Sequence, residues 1–498
     1  YYLYEVELVK RSGSEGLSVI MQANGTNALL DGDTQRVYVA EAEEITIDSG
    51  GIDDNYTVTY SPKDPCTGIN KYTWGMPNNT FYYTISAKTN EDISWYIGQE
   101  NVSEYTLKTT AQLFGFAALV NGTAKRADGT LVNSVNFSGK TIYLANDVDV
   151  SGYEWIAIGY SDGYTPTAFA GTFDGKGHTV TLTLDTIGQS YVGFFGYVTG
   201  TVKNLTVDGS VKADSTGSNG IGHAAGVVAY LAGGTVKMCV NRASVTTDKC
   251  CYTAGIVGGS ENGKIKNCRN TGEISSTYES TGGHAAGIAN EAESVTQCWN
   301  EGDIELKTVK GKSANSRVAG VATGAPVLNS ANFGKVSGPT WAETGVSIGG
   351  VGTTAVSNSY NLGTVTGAAG KTYNISGGTV VNSYYADIAG KTGIYVKDSA
   401  GITDADKSQS ITITEVDGKK AYKVGNVELV DVLNGACKNI SGALEWINKQ
   451  EAPNNPVHIT RWDGSFEPGV KGVITLVYDP NGGEGAAVTE QQRVEGDT

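Results

Sequence analysis

Four histidines, seven cysteines and scattered carboxylates are the residues here whose types could carry chemistry. None of His178, His223, His284 and His458 stands in an HExxH frame, so they form no zincin centre. His223, Tyr252, His284 and Arg317 each lie three residues before a recurring glycine: Gly226, Gly255, Gly287 and Gly320. In a stacked fold these four would form one column, with neighbours about 4.8 Å apart. Tyr, His and Arg in a row could bind a polysaccharide or act on an acidic sugar. They could equally be corner residues packed along a coil edge. Glu273 and Asp303 are also equivalent, and at about 5 Å their carboxylates would match a retaining glycosidase. Their column begins with Ser244 and continues with Lys335 and Thr364, a mix that a solvated face produces without selection for catalysis. Lys335 beside Asp303 predicts a weak surface ion pair.

The cysteines are Cys66, Cys239, Cys250, Cys251, Cys268, Cys298 and Cys437. The number is odd and no CxxC pair occurs, which argues against a zinc knuckle or a thioredoxin-like site. Cys239, Cys268 and Cys298 are equivalent to Ser330 and Ser359, so the position selects for size, and buried thiols are expected. Cys250 and Cys251 read as two thiols in a loop. Asp174 and Asp208 lie in DGKG and VDGS stretches and read as turn residues. Trp155, Tyr160 and Tyr164 cluster in WIAIGYSDGYTPTAF and could stack on a sugar or anchor a partner, or plug the end of a core. No metal or cofactor is expected.

The elements that must position these residues repeat. NCRNTGEI (267–274), QCWNEGDI (297–304), NSANFGKV (329–336) and NSYNLGTV (358–365) share a small residue, an Asn, a Gly and a final Ile or Val. Cys239, Cys268, Cys298, Ser330 and Ser359 recur every 29 to 32 residues, and Ser383 follows in NSYY. An earlier half-motif drifts with the same period: AAGVVAY, TAGIVGG, AAGIANE, VAGVATG, and a looser IGGVGTT. Such a unit cannot bury its apolar face alone but can when stacked on copies of itself. Short strands with no helix between them predict a parallel β-helix. The Cys/Ser column should face a narrow interior. The Asn should sit at a corner and bond to Asn in adjacent coils. Gly272, Gly302, Gly334 and Gly363 should supply positive φ.

The flanks differ. FAGTFDGKGHTVTLTL and YVGFFGYVTGTVKNLTVDGSV carry aromatics where later coils have Ala or Val, as a terminal coil should. The spacing of Leu113, Phe114, Phe116, Ala117 and Val120 predicts a helix capped by Thr109 or Thr110 and ended by Gly122, a lid on the open end. Residues 427–435 and 442–450 read as short helices of a second cap. The predicted organisation is a small antiparallel β-domain at 1–97, a capped β-helix at 98–395, a C-terminal α/β capping region at 396–470, and the start of a further β-module at 471–498. The fold class is therefore all-β.

The formal charge is −16, which opposes a nucleic-acid footprint and attachment to anionic lipid. No run of about 18 apolar residues occurs, so no membrane insertion is expected. The chain opens on Tyr1 without a signal peptide and reads as a mature fragment.

The repeats resemble the GLUG-type repeat of bacterial surface proteins. FAGTFDGKGHTV with GFFGYV and VKNLTV is similar to the first coil of such arrays, and residues 110–159 to the segment that precedes them. YTWGMPNNTFYYTISA resembles the end of a divergent bacterial β-repeat, and ITLVYDPNGGEG the opening of a Listeria–Bacteroides-type repeat. The resemblance implies a secreted or wall-attached, adhesin-like protein. Some IgA-cleaving metallopeptidases carry a similar region ahead of their catalytic domain. The expected function is non-catalytic binding of a host or environmental glycan or protein. The alternatives are a polysaccharide lyase or glycosidase working on one face of the β-helix, and an accessory region of a larger secreted peptidase.

Overall fold

The computed structural model describes residues 3–386, apart from 14–16, 24, 41–43, 53–54, 62–69, 72–79, 89, 160–166 and 215–221. It further describes 410–416, 419–437, 446–448, 457–459, 473–476 and 491–494. Cys66 and most of 471–498 lie outside these residues, and of His458 only the backbone is described.

At the N-terminus, alternating side chains place one strand face on a core and the other in water. Leu3–Gly13 is the central strand of a five-stranded sheet, antiparallel to Thr34–Ala40 but parallel to Thr80–Ala87. The expected small antiparallel β-domain is present and carries one parallel seam, between Leu3–Gly13 and Thr80–Ala87. A four-stranded antiparallel sheet built around Ile20–Ala23 and Glu44–Asp48 shares its core, with Val6, Leu8, Met21, Ile45, Phe81 and Ile85 buried together.

Between Glu104 and Ala386 the described residues form a parallel β-solenoid. One sheet holds ten short strands, from Glu104–Leu107 to Val380–Val381. A second runs from Val148–Asp149 through Tyr384–Ala386, a third has seven strands from Tyr191–Val192 to Thr372–Tyr373, and a fourth has five. Val202, Val236, Ile265, Val295, Val327, Val356 and Val380 stack in register and are buried.

The repeated Asn builds a ladder. Asn241 Nδ2 donates to Asn270 Oδ1 at 2.7 Å, Asn270 to Asn300 at 2.7 Å, Asn300 to Asn332 at 2.8 Å and Asn332 to Asn361 at 2.8 Å. Each Nδ2 also donates to the carbonyl two residues on, at 2.7–2.9 Å. A buried amide left unpaired costs about 1–3 kcal/mol, so the ladder makes the column tolerable inside the protein.

The two sequence landmarks prove to be one contact. A Cβ on Gly226, Gly255, Gly287, Gly320 or Gly350 would overlap the amide of Asn241, Asn270, Asn300, Asn332 or Asn361 respectively. The half-motif glycine is required for space and not for a positive φ. One coil earlier, Val207 takes the Asn position and Phe194 takes the Gly position. The pair thus changes together from small-plus-amide to large-plus-aliphatic.

The motif glycines correct an expectation. Gly272, Gly302, Gly334 and Gly363 do not have positive φ. They are glycine because a Cβ would strike the backbone oxygen of Ala243, Gly272, Gly302 or Gly334 in the preceding coil. Positive φ falls instead on the residue before the Cys or Ser, Met238, Asn267, Gln297, Asn329, Asn358 and Asn382, and on Asn204 before the equivalent Leu205, at +46° to +56°. Asn dominates there because its short polar side chain tolerates the left-handed region.

The Cys/Ser column is selected for hydrogen bonding as well as size. The Cys268 N–H donates to Cys298 Sγ at 3.3 Å, Cys298 N–H to Ser330 Oγ at 3.1 Å, and Ser330 N–H to Ser359 Oγ at 3.0 Å. The same atoms donate back to the carbonyl two residues earlier, at 3.4 Å for Cys268 and 2.7 Å for Ser359. All three cysteines of the column are buried thiols, and burial pushes Cys239 and Cys298 up.

The upper lid is the helix Thr110–Asn121. The Thr109 hydroxyl accepts from Gln112 N–H, and Gly122 ends the helix at φ +73°. Its Phe116 packs on Phe137, Phe169 and Phe173 at ring separations of 5.3–5.9 Å. At the other end, Ser410–Val416 adds a parallel rung on Tyr384–Ala386 and turns back into Lys419–Val424. The helix Leu429–Cys437 follows, as expected. Residues 446–448 do not continue a second helix: Trp446–Asn448 is a strand paired with Val457–Ile459. Trp446 Nε1 donates to Asn329 Oδ1 at 2.6 Å, and the ring packs on Tyr360. Trp299, Ala331, Tyr360 and Tyr384, the variable residues between Cys/Ser and Asn, form the seat for this C-terminal unit. The unit therefore covers one side of the last coils as well as their end.

Candidate binding face

The corner before each half-motif glycine carries the predicted column, and strand register makes it continuous. Tyr191 pairs with His223, His223 with Tyr252, Tyr252 with His284, His284 with Arg317, and Arg317 with Ser347. The rings stack as they descend. Tyr191 lies 5.4 Å from His223 at 15°, His223 lies 4.8 Å from Tyr252 at 6°, and Tyr252 meets His284 edge-on at 4.7 Å.

A second column flanks it. Tyr197 pairs with Tyr230 and Tyr230 with Gly259. Tyr230 packs against His223 at 4.9 Å and against Tyr197 at 5.3 Å. His223 is thus packed among three tyrosine rings, Tyr191, Tyr230 and Tyr252. Gly259 interrupts the second column because the His223 imidazole fills the space its Cβ would need. Below the gap, Glu291 and Arg317 close the face, and Gly324 at φ +67° leaves room for both side chains.

Electrostatics follow burial. Desolvation takes His223 down to about 3 and, helped by Arg317, His284 to the same value. Both are neutral at pH 7, so neither holds a proton for general-acid work there. His284 Nδ1 lies 3.4 Å from Thr323 Oγ1 and 3.9 Å from Glu291 Oε1. Burial, with Glu261 adding its charge, pushes the Tyr230 phenol up to about 12. Tyr191, Tyr197, Tyr230 and Tyr252 are half-buried, so part of each side chain is open to solvent.

The remaining candidates disperse. Trp155 is inside the lid: it stacks on Phe194 at 5.2 Å and 13°, and its Nε1 donates to Phe194 O at 3.2 Å. Its place is the core plug and not the surface. Tyr160 and Tyr164 lie outside the described residues. Glu273 and Asp303 are exposed, and Asp303 accepts the Lys335 backbone N–H at 2.8 Å in place of the expected side-chain ion pair. Asp174 is more than a turn residue: it is buried, pairs with Lys203 at 3.0 Å and accepts from Asn204 Nδ2 at 2.9 Å. Those partners outweigh its desolvation and hold its carboxyl below the ordinary range. Among the described residues no group of three or more His, Cys, Asp and Glu is placed to hold a metal, and no helix is long and apolar enough to cross a membrane.

Tyr191, Tyr197 and Tyr230 were missed by alignment on the half-motif glycine. The first coil has its glycine at 193, one residue out of register with Gly226, so Tyr191 falls off the column until strand pairing restores it.

No family model matches the sequence, and no curated protein is similar to it at a significant level, so the likeness to GLUG-type arrays rests on the motifs alone. Two solved structures share part of the shape. One, from Bacteroides ovatus and proposed to be an immunoglobulin A1 protease, is 17% identical, with a TM-score of 0.42 over 75% of this chain and 95% of that one. The other, an IgA1 protease, is 14% identical, with a TM-score of 0.29 over 84% of this chain and 30% of that one. Neither overlap bears on what this chain does.

Proposed function

We propose that the chain is a non-catalytic, extracellular binding region of a bacterial surface protein, and that the tyrosine–histidine face contacts a glycan. The observation that carries this reading is the six-ring cluster itself: Tyr191, Tyr197, His223, Tyr230, Tyr252 and His284 lie together on stacked coils, the four tyrosines half-buried around the buried histidines. Half-buried aromatic rings with polar tips bind sugars well because one side chain offers both an apolar plane and a hydrogen-bonding group. The neutral histidines support binding over acid–base catalysis.

A glycan array followed by titration of the best ligand tests this. Tyr230→Ala should weaken binding at least tenfold with little change in melting temperature. Retention of full affinity by that variant, or no glycan bound at all, would sink the assignment. The repeat resemblance also favours a second reading, a non-catalytic region of a larger secreted peptidase. The gene beyond Thr498 separates the two: an HExxH module supports the second reading and a wall-anchor signal the first.

A further inference from the structure

The ten-stranded sheet of the solenoid carries an unbalanced strip of charge. Three successive coils contribute TVK (201–203), TVK (235–237) and KIK (264–266). Val202, Val236 and Ile265 in the middle are buried, so the residues on either side of each face outward. Strand register aligns Lys203 with Lys237 and Lys237 with Lys266. Thr201, Thr235 and Lys264 form a second column beside them, which continues as Ser294. Neighbours within a column lie about 4.8 Å apart on a backbone fixed by its hydrogen bonds.

The charges in the strip are unevenly matched. Lys203 is neutralised by the buried Asp174 at 3.0 Å, and Lys264 meets Glu293 at 3.4 Å. Among the described residues no carboxylate pairs with Lys237 or Lys266, although the chain has 52 acidic side chains to 36 basic ones. Lys266 is exposed and Lys237 partly so. Like charges directly opposite on neighbouring strands destabilise a sheet. The coil does not require them, because the same position holds Tyr143, Thr296, Leu328 and Ser357 in other coils. A repulsion that the fold neither needs nor offsets is one that a bound anion would relieve.

The strip selects its partner by charge and shape. It is basic within an acidic molecule, so it complements an anion. It is also narrow, with the hydroxyls of Thr235, Ser294 and Thr296 on the same sheet and partly exposed. A nucleic acid would need a broader basic footprint, which a net charge of −16 opposes, and rings for its bases to stack on, which these three strands lack. An anionic bilayer calls for a larger cluster, of about four to eight basic residues. An acidic polysaccharide spaces its charges widely and fills the intervals with hydroxyls, so it matches sparse ammonium groups set among hydroxyl side chains.

We propose that this strip binds an extended acidic polysaccharide, with its anionic groups on Lys237 and Lys266 and its hydroxyls on the neighbouring threonine and serine side chains. The strip lies on a different sheet from the tyrosine–histidine face, and either assignment can fail without the other.

The test titrates the full chain with hyaluronate, chondroitin sulfate and neutral dextran at low and high salt. Hyaluronate bears carboxylates alone and chondroitin sulfate bears sulfates as well, so the two arms identify the anionic group. At least one of them should bind, more weakly as salt rises, and dextran should not. Lys237→Gln combined with Lys266→Gln should weaken binding about tenfold and flatten its salt dependence. The melting temperature should stay unchanged or rise slightly, because the repulsion is gone. Lys335→Gln, at an exposed lysine outside this sheet, should leave binding unaltered. Full affinity in the double variant, an equal loss in Lys335→Gln, equal binding of dextran, or no acidic glycan bound at low salt overturns the assignment. Tighter binding of a single-stranded oligonucleotide or of phosphatidylserine vesicles does so as well. A double variant that melts several degrees lower would make the lysines part of the fold and overturn it too.

Discussion

The solenoid is built in two ways. Its upper coils are filled by rings: Phe116, Phe137, Phe169, Phe173, Phe194 and Phe195 are fully or almost fully buried and pack edge-to-face or stacked. Its lower coils are thin, with small residues, glycines and a row of buried amides. The same strand register runs through both. Coil geometry is therefore indifferent to how the interior is filled, provided that volume and polarity change together. Val207 with Phe194 is one solution, and Asn241 with Gly226 is the other.

The largest expected effect lies in the aromatic half. Phe173→Ala should cost about 3–5 kcal/mol, because a buried ring leaves a cavity that neighbouring coils cannot close. Urea denaturation measures it, and a loss below 1 kcal/mol would mean that the lid collapses freely. In the thin half, Gly287→Val should cost about 3 kcal/mol, since the new side chain meets the Asn300 amide and the Gly320 carbonyl. Asn300→Ala should cost about 2 kcal/mol, because Asn270 Nδ2 and Asn332 Oδ1 lose a partner at once. If it were as mild as a surface substitution, the ladder would be ornament and glycine packing would carry the thin coils alone.

His223 stands where the two halves meet and gives a pH test. Its folded-state value of about 3 lies below the unfolded value of about 6.5, so the unfolded chain takes the proton first. Acidification therefore destabilises the fold between those limits and stabilises nothing. Between pH 7.5 and 5.5 the loss should be about 1.4 kcal/mol per buried histidine. His223→Phe should flatten the pH dependence of the melting temperature by one histidine's share. An unchanged profile would mean the imidazole reaches water. The smallest effect should come from Cys298→Ser, under about 1 kcal/mol, since Ser330 and Ser359 already do the same work one and two coils away.

Much of this is legible in the sequence. Two drifting landmarks betray a stacked repeat because stacking forces equivalent residues into contact. The lid helix was readable from Thr109, Gly122 and the apolar spacing between them. What could not be read was why each glycine is glycine. A sequence does not separate a glycine needed for positive φ from one needed for closeness, and the motif glycines belong to the second kind. The left-handed position was visible in NC, QC and NS, yet nothing local marks the Asn before the Cys as strained. Residues 442–450 look helical, but Trp446 is drawn into a strand by the Asn329 amide, a partner 117 residues away. The tyrosine–histidine face was half legible: His223, Tyr252, His284 and Arg317 follow the period, whereas Tyr191 is hidden by the shifted glycine.

The amide ladder points one way. Every Nδ2 donates toward the C-terminal coil, and Asn241 Oδ1 at its head has no donor above it, because Val207 supplies none. All its internal links are chemically identical. A duplicated or deleted unit in the gene would therefore leave the same joints on either side of the change. The array can lengthen or shorten by unequal recombination without inventing a new interface, as long as the lid above and the Trp446 seat below are spared. Solenoid length is thus a heritable variable that evolution can adjust in steps of one coil.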